Sequence, residues 1–273
     1  MFAKLLKYEW KASAGLLGIL SGAALGIGLL GGLTLRFIFS ELRAGDEANI
    51  LVMPAFMMLF FMVLALFAYL FAVQLVLLVR FYKSRFTDEG YLTFTLPVTT
   101  TQSYLAALSN ILIWNVISGA VMAITSLFLV FLGLSEIAGA VGSQVTVDFG
   151  ILFGEVSSIA GYAEYQLLSL INTLVTFVSQ PVIIMACITL GAVLAKKHKM
   201  LAAIGIYYGV SMAVGMVTSV GNAAMMLEEI QISDVTYSAM LPALGIQIAV
   251  QLALCVGGSA LSIWLMEKKL NLP

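Results

Sequence analysis

The sequence predicts an all-α polytopic membrane protein with six transmembrane helices. Composition, the length of the apolar runs and the placement of Lys and Arg predict this fold class. Of the 273 residues, 62% are hydrophobic and 10% are charged, and the mean hydropathy is +1.07. Soluble domains are about 45–50% apolar and about 25% charged, because water must solvate their surface. The composition therefore excludes a water-soluble fold.

Six apolar runs are long enough to cross a bilayer. A hydrocarbon core about 30 Å thick requires about 20 apolar residues per helix. The predicted spans are 12–37, 50–79, 104–134, 165–195, 200–226 and 240–266. Several exceed the required length, which predicts tilt or extension beyond the headgroups.

The first eleven residues, MFAKLLKYEWK, combine basic and apolar side chains. Lysines recur among Phe2, Leu5, Leu6 and Trp10. This pattern favours a short amphipathic helix lying in the cytoplasmic headgroup plane. The alternative is that the segment is only the charged start of the first span.

Lys and Arg fall mainly on one side of the predicted spans. Eleven of the 13 share the side of both termini: Lys4, Lys7, Lys11, Arg80, Lys83, Arg85, Lys196, Lys197, Lys199, Lys268 and Lys269. Ten of the 14 acidic residues lie on the other side, so the net charge of −1 is a cancellation. Because cytoplasmic flanks carry the basic excess, both termini are predicted to be cytoplasmic and 135–164 to be an extracellular loop.

The sequence lacks the motifs of the common enzyme classes. It contains no Gly-Lys pair, and therefore no phosphate-binding P-loop, and no HExxH, GxSxG or CxxC motif. Its one histidine, His198, lies in a basic cluster typical of a solvated turn. Cys187 and Cys255 lie within apolar runs, which indicates that they are packing residues. We expect no enzymatic activity, no bound metal and no nucleic-acid partner.

The polar residues within the spans are uncharged. Carriers coupled to protons or sodium ions usually place ionisable groups near the midplane, and here the charged residues lie at span ends or in loops. Such amides either line a translocation path or bridge neighbouring helices. The candidate path-lining residues are Gln74, Asn110, Asn115, Asn172, Gln180, Gln247 and Gln251.

Small residues recur every four positions in two spans. Gly18, Gly22 and Gly26 form such a stripe in the first span, with Gly28 and Gly32 on another face, and Gly205 and Gly209 repeat the spacing in the fifth span. Glycine at this spacing allows two helix backbones to approach closely. These stripes are candidates for contact between spans or between subunits.

The cytoplasmic segment 80–102, RFYKSRFTDEGYLTFTLPVTTTQ, is more than a polar turn. An acidic pair and Gly90 are followed by apolar side chains and Pro97. Apolar groups on a segment that faces the cytosol indicate a partner surface, and the spacing favours a short helix ended by Pro97.

At this segment the sequence resembles the permease subunits of bacterial ATP-binding-cassette transporters of the type-2 exporter-like class. In that family an acidic-plus-glycine motif, a Leu-rich stretch and a Pro-Val pair lie between the second and third spans. The corresponding residues here are Asp88, Glu89, Gly90, Tyr91, Leu92, Thr93, Phe94, Thr95, Leu96, Pro97 and Val98. The topology of the family also matches the whole chain: an interfacial N-terminal helix, six spans and both ends inside.

The resemblance implies a transport subunit of the bacterial cytoplasmic membrane. A second permease chain, identical or different, completes the path, and separate nucleotide-binding ATPase subunits carry ATP and magnesium, so this chain binds no cofactor. The segment around Glu89 to Leu96 would act as a coupling helix against the ATPase, and the turn that contains Lys196 and Lys197 would be a second, smaller contact. The first and fifth spans meet across the dimer, and the substrate is a hydrophobic or amphipathic peptide, drug or lipid.

Two other functional classes remain open on the sequence. The chain is alternatively a non-transporting scaffold or sensor of a larger membrane complex, which predicts no substrate-dependent ATPase activity. An intramembrane enzyme is the third class, but the sequence offers no nucleophile–base or metal-binding constellation for it.

Labelling of single cysteines tests the predicted orientation. Because residues 143 and 233 fall in predicted outer loops, a membrane-impermeant maleimide should label Ser143→Cys and Ser233→Cys in intact cells. Failure of the reagent to reach these two positions would contradict the orientation.

Overall fold

The described residues include six long α-helices. The computed structural model describes residues 2–44, 51–87, 90, 98–141, 161–195, 198–229 and 240–268. The helices are α1 (Phe2–Ala44), α2 (Val52–Phe86), α3 (Thr100–Val141), α4 (Tyr162–Leu194), α5 (Lys199–Glu229) and α6 (Leu241–Lys268). Each is long and apolar enough to cross a membrane, and no strand occurs among the described residues. The predicted all-helical fold is confirmed, and six of the described helices are long and apolar enough to be the six predicted spans.

The helices extend beyond the predicted spans, most of all in α1. This helix continues without interruption from Phe2 to Ala44, so the amphipathic segment 2–11 is its first part, and no separate interfacial helix is present in the described part of the N-terminal region. Nothing in this segment breaks a helix, since it contains neither Gly nor Pro before Gly15. Its orientation relative to the headgroups stays a prediction.

Apolar side chains cover the outside of the helices. Ile19 and Met53 are 73% and 75% exposed, and many Leu, Phe and Met side chains are similarly open. Isolated apolar residues on a surface are ordinary, but faces that are apolar along whole helices require a hydrocarbon solvent. The chain is a multi-pass membrane protein.

The chain divides into two compact units. The first comprises Met1–Arg80 and Ser109–Val147, and the second comprises Phe81–Leu108 and Asp148–Pro273. The first unit therefore contains α1 with most of α2 and α3. The second contains the end of α2, the start of α3 and all of α4, α5 and α6.

Two ion pairs connect the helices of the first unit at opposite ends. Arg80 Nε lies 3.2 Å from Glu9 Oε2, which links α2 to α1. Arg36 Nε lies 3.3 Å from Glu136 Oε1, which links α1 to α3. Glu9 and Arg36 are separated by about 40 Å along α1 at 1.5 Å per residue, close to the thickness of a bilayer with its headgroups. These charges are therefore spaced to lie in the two headgroup layers, with apolar helix between them.

Close packing in the first unit uses glycines on one face of α1. A side chain at Gly28 would collide with Thr125 of α3, and one at Gly32 would meet Leu132 Cδ1 and Phe128 Cε1 at 2.7 Å. By contrast, a Cβ at Gly18, Gly22 or Gly26 would meet nothing within 4 Å. The stripe at Gly18, Gly22 and Gly26 therefore makes no such contact with the described residues of the first unit, and it stays a candidate for contact with another span or with another subunit.

In the second unit α4 is the central helix. It packs most extensively against α6 and next against α5, and its buried residues run from Ser179 to Gly191. Gly191 lets α5 approach closely, since a Cβ there would lie 2.6 Å from Ala203 N. Gly258 of α6 lies against Val182 and Ala186 of α4 at ordinary contact distance. A Cβ at Gly205 or Gly209 of α5 would meet nothing within 4 Å.

Alanine substitution at two glycines tests this packing. Gly191→Ala would place a methyl group against the backbone of Ala203, which cannot move aside as a side chain can. We expect a loss of about 1–3 kcal/mol, the usual cost of overpacking, seen as a lower melting temperature of the detergent-solubilised protein. Gly209→Ala is the matched control in open space and should keep or raise that temperature. Equal melting temperatures for the two variants would contradict the predicted approach of α4 and α5.

Candidate functional site: an arginine clasp and a polar cleft

The segment predicted to couple the chain to an ATPase connects α2 to α3. Its residues Asp88, Glu89, Tyr91, Leu92, Phe94, Leu96 and Pro97 lie outside the described residues, as do Lys196 and Lys197 of the predicted second contact. Both ends of the segment and Gly90 are described. The structure therefore shows how the segment is anchored.

Arg85 joins the two ends of the segment. Although it carries a guanidinium group, it is only 1% exposed. Its Nη2 donates hydrogen bonds to the carbonyl oxygen of Ser103 at 2.8 Å and to Ser103 Oγ at 3.2 Å. Its Nη1 donates to Ser84 Oγ at 2.8 Å, and the guanidinium carbon lies 4.9 Å from the centre of the Phe81 ring. We call Arg85, Ser103, Ser84 and Phe81 the Arg85 clasp.

The planar guanidinium group explains why arginine fits here. It presents several N–H donors in a fixed fork and also stacks on aromatic rings. A buried charge is costly unless hydrogen bonds compensate it, and the clasp provides acceptors from both α2 and α3. The end of α2 is thereby held against the first turn of α3.

Gly90, which lies within the segment, also contacts the end of α2. Its N–H donates to the carbonyl oxygen of Thr87 at 2.8 Å, and a Cβ at this position would lie 2.5 Å from the carbonyl oxygen of Arg85. Gly90 therefore lies against the end of α2, at a point where a side chain would collide with the backbone.

The first turn of α3 has a second connection, to α6. Thr100 Oγ1 donates a hydrogen bond to Glu267 Oε1 near the end of α6. Thr99 Oγ1 accepts a hydrogen bond from the N–H of Gln102 at 3.3 Å, as an N-cap threonine does. The start of α3 is thus capped and connected to the ends of both α2 and α6.

Three of the candidate path-lining amides bridge helices instead of lining a cavity. Gln74 Nε2 of α2 donates a hydrogen bond to Asn115 Oδ1 of α3. Asn110 of α3 lies 3.4 Å from the hydroxyl of Ser13 in α1, which also accepts a 3.0 Å hydrogen bond from Trp114 Nε1. Trp114 stacks on Trp10 with ring centres 4.8 Å apart. In the first unit the amides therefore take the bridging role.

The other amides lie in the second unit, and three of them line a cleft. The cleft has a volume of about 250 Å³ and lies among α4, α5 and α6. Its lining residues are Gln180, Ile183, Tyr207, Val210, Ser211, Val214, Gly215, Thr218, Gln247 and Gln251. We call this cavity the polar cleft. Asn172 does not line it.

The helix periodicity explains how these residues come together. The lining positions of α5 recur at each turn of the helix, at Tyr207, at the pairs 210–211 and 214–215, and at Thr218, so they form one stripe. Gln180 with Ile183 on α4, and Gln247 with Gln251 on α6, have the same spacing. One face of each helix therefore contributes to the cleft.

The three glutamines differ in their hydrogen bonds. Gln251 is 8% exposed, and its Oε1 accepts a 2.8 Å hydrogen bond from Ser179 Oγ. Gln180 is exposed and Gln247 is half-buried, and no side-chain hydrogen bond joins either amide to another of the described residues. Their amides face a cleft whose lining includes no Asp, Glu, Lys, Arg or His. The site is thus polar and uncharged.

The sequence did not single out Arg85 or the hydroxyl groups of the cleft. Arg85 entered the sequence argument only as one of the cytoplasmic cations, although its position between Phe81 and Phe86 gave a signal for burial. Ser211 and Thr218 occur seven residues apart on α5, which places them on the same helix face. That spacing is visible in the sequence, but it gains meaning only beside the glutamines of α4 and α6.

No protein-family model, curated protein or solved structure matches this chain.

Removal of Arg85 tests the clasp. Arg85→Ala would remove the hydrogen bonds from a charged group to Ser103, each typically worth about 1.5–3 kcal/mol, and would release the ends of the segment. We expect faster chymotryptic cleavage between α2 and α3 and a lower melting temperature. Lys83→Ala is the matched control, because Lys83 is an exposed cation two residues away. Unchanged cleavage in the Arg85 variant would contradict the anchoring role.

Proposed function

We propose that the chain is the membrane-spanning permease subunit of an ATP-binding-cassette transporter of the type-2 exporter-like class. With a second permease chain, identical or different, it forms the path along which a hydrophobic or amphipathic substrate is exported. Two separate ATPase subunits bind ATP and magnesium and power the cycle. The cytoplasmic membrane of a bacterium is its location, with both termini inside.

The observation that carries this proposal is the segment between α2 and α3. It combines the acidic-glycine motif, the apolar stretch and the Pro-Val pair of the family, and the Arg85 clasp anchors both of its ends. A segment that transmits force from a partner has to be fixed to the helices that it moves. The hydrogen bonds of Arg85 and the close approach at Gly90 supply that attachment.

A physical connection leads from this segment to the polar cleft. A push on the start of α3 acts on Glu267 through the hydrogen bond of Thr100. Glu267 belongs to α6, and the same helix carries Gln247 and Gln251. A shift of α6 would also change the hydrogen bond between Gln251 and Ser179 of α4. ATP-driven closure of the ATPase would thereby favour one state of the permease over the other, provided that its contacts differ between the two states.

The open glycine faces suit the contact with a second permease chain. Gly18, Gly22 and Gly26 of α1, and Gly205 and Gly209 of α5, meet nothing within 4 Å in this chain. Small residues allow close approach of helices in lipid, where dispersion contacts replace the hydrophobic drive. We therefore assign these two faces to the dimer contact.

Variants of the coupling segment test the proposed function. The chain and its ATPase would be co-reconstituted in nanodiscs, and substrate-stimulated ATP hydrolysis would be measured. We expect Glu89→Ala and Phe94→Ala to abolish the stimulation, because each variant removes a side chain that is proposed to contact the ATPase. Glu164→Ala is the control, since Glu164 is exposed at the opposite end of the spans. Stimulation equal to wild type in both coupling variants would overturn the coupling assignment, and a scaffold or sensor would show no substrate-dependent hydrolysis at all.

A further inference from the structure

The polar cleft presents hydrogen-bonding groups that no described side chain satisfies. Gln180 stands near the middle of α4, and Gln247 lies in the first third of α6. An amide in hydrocarbon without a partner costs free energy, because neither water nor protein then occupies its donors and acceptor. In the first unit the amides avoid this cost by bonding across helices, as Gln74 and Asn115 do. Gln180 is exposed and Gln247 is half-buried at the cleft, so both amides are accessible to a ligand that offers complementary donors and acceptors.

The chemistry of the lining defines the class of ligand. Each free glutamine offers two N–H donors and a carbonyl acceptor, and Ser211 and Thr218 add hydroxyl groups. Because no formally charged side chain lines the cleft, a bound ion would lose its water without gaining a counter-charge. Ile183, Val210 and Val214 supply apolar contacts beside the polar ones. The cleft thus selects an uncharged group with both donors and acceptors and an apolar attachment.

The size of the cleft limits what it holds. A volume of about 250 Å³ lies just below the range of about 300–1,000 Å³ that is typical of sites enclosing a whole small molecule. It is therefore sized for one part of a larger amphipathic molecule, such as two peptide units or one sugar ring. Gln251 is already held by Ser179 at 2.8 Å, so one wall of the site is oriented before the ligand arrives, which lowers the entropic cost of binding.

We propose that the polar cleft binds an uncharged, multiply hydrogen-bonding group of an amphipathic molecule, with Gln180 and Gln247 as the main partners. Describing that molecule as a transport substrate rests on the proposed function. Peptide amides and sugar hydroxyls share the required chemistry. Binding itself is a property of this chain and does not depend on the ATPase.

Binding of matched probes to the chain alone tests this proposal. The full chain would be placed in phosphatidylcholine nanodiscs and titrated with tritiated N-acetyl-leucyl-leucyl-leucinamide, an uncharged peptide. Octyl glucoside below its micellar concentration would serve as the sugar probe and competitor. Unmodified trileucine, which carries both terminal charges, would serve as the charged counterpart. We expect saturable binding of one uncharged probe and at least tenfold weaker binding of trileucine.

Near-isosteric variants assign the binding to the cleft. Gln180→Leu and Gln247→Leu should each lower the affinity for the uncharged probe by about 2- to 10-fold, which corresponds to the loss of one net hydrogen bond. Gln166→Leu is the matched control on α4, because Gln166 is exposed and does not line the cleft. Val214→Trp should block binding by filling the cleft without removing a glutamine. If either glutamine variant fails to fold, as judged by gel filtration, Val214→Trp still tests whether the probe binds in the cleft.

Three results would overturn the proposal: no saturable binding of either uncharged probe, equal affinity for trileucine, or unchanged affinity in the glutamine and Val214 variants. A cleft filled by a lipid chain or by a second copy of this chain would give the first of these results. The uncharged probe that binds more tightly shows whether the cleft prefers peptide amides or sugar hydroxyls. Failure of ATPase coupling together with intact probe binding would contradict the proposed function and leave this inference standing.

Discussion

The absence of water from the membrane interior is the constraint on which the rest of the structure depends. A polar side chain in a span has to find a partner inside the protein, because lipid offers none. Ser21 and Tyr69 therefore pair across α1 and α2 at 3.0 Å, and Ser179 and Gln251 pair across α4 and α6 at 2.8 Å. Such bonds fix the register of helices whose faces are otherwise uniformly apolar. A polar group that lacks such a partner then becomes informative about function.

The number and approximate position of the helices were predictable from the sequence, whereas the pairing of their faces was not. Span length and apolar content follow directly from the thickness of the bilayer. The same apolar residues suit lipid and protein interior equally, so periodicity does not show which face meets a neighbour. The four-residue spacing drew attention to Gly18, Gly22 and Gly26, while the contact with α3 uses Gly28 and Gly32. Both sets have the same spacing, and only the positions of Thr125 and Phe128 distinguish them.

The candidate site was predictable in part for a similar reason. The sequence marked Gln74, Asn115, Gln180, Gln247 and Gln251 as polar residues within spans, and left open whether such amides line a path or bridge helices. That choice depends on whether another amide faces them, which is a property of tertiary structure. Gln74 faces Asn115, while Gln180 and Gln247 face an open cleft. The amides thus divide according to their surroundings and not according to residue type.

Arg85 shows the limit of charge counting. The rule for cytoplasmic flanks treats it as equivalent to Lys83 two residues earlier. In the structure Lys83 is exposed, whereas Arg85 is buried and bonded to Ser103. One cation contributes to orientation through its charge alone, and the other also holds two helix ends together. This attachment gives the proposed coupling segment a mechanical connection to α3 and, through Thr100 and Glu267, to α6.

The composition of the native complex tests the proposed permease role most directly. The chain would be tagged and purified from membranes of the cells that make it naturally, and the complex would be measured by native mass spectrometry with identification of each subunit. The proposed function predicts two permease chains together with two subunits that carry a P-loop and hydrolyse ATP. A stable complex that contains this chain but no P-loop ATPase would contradict it.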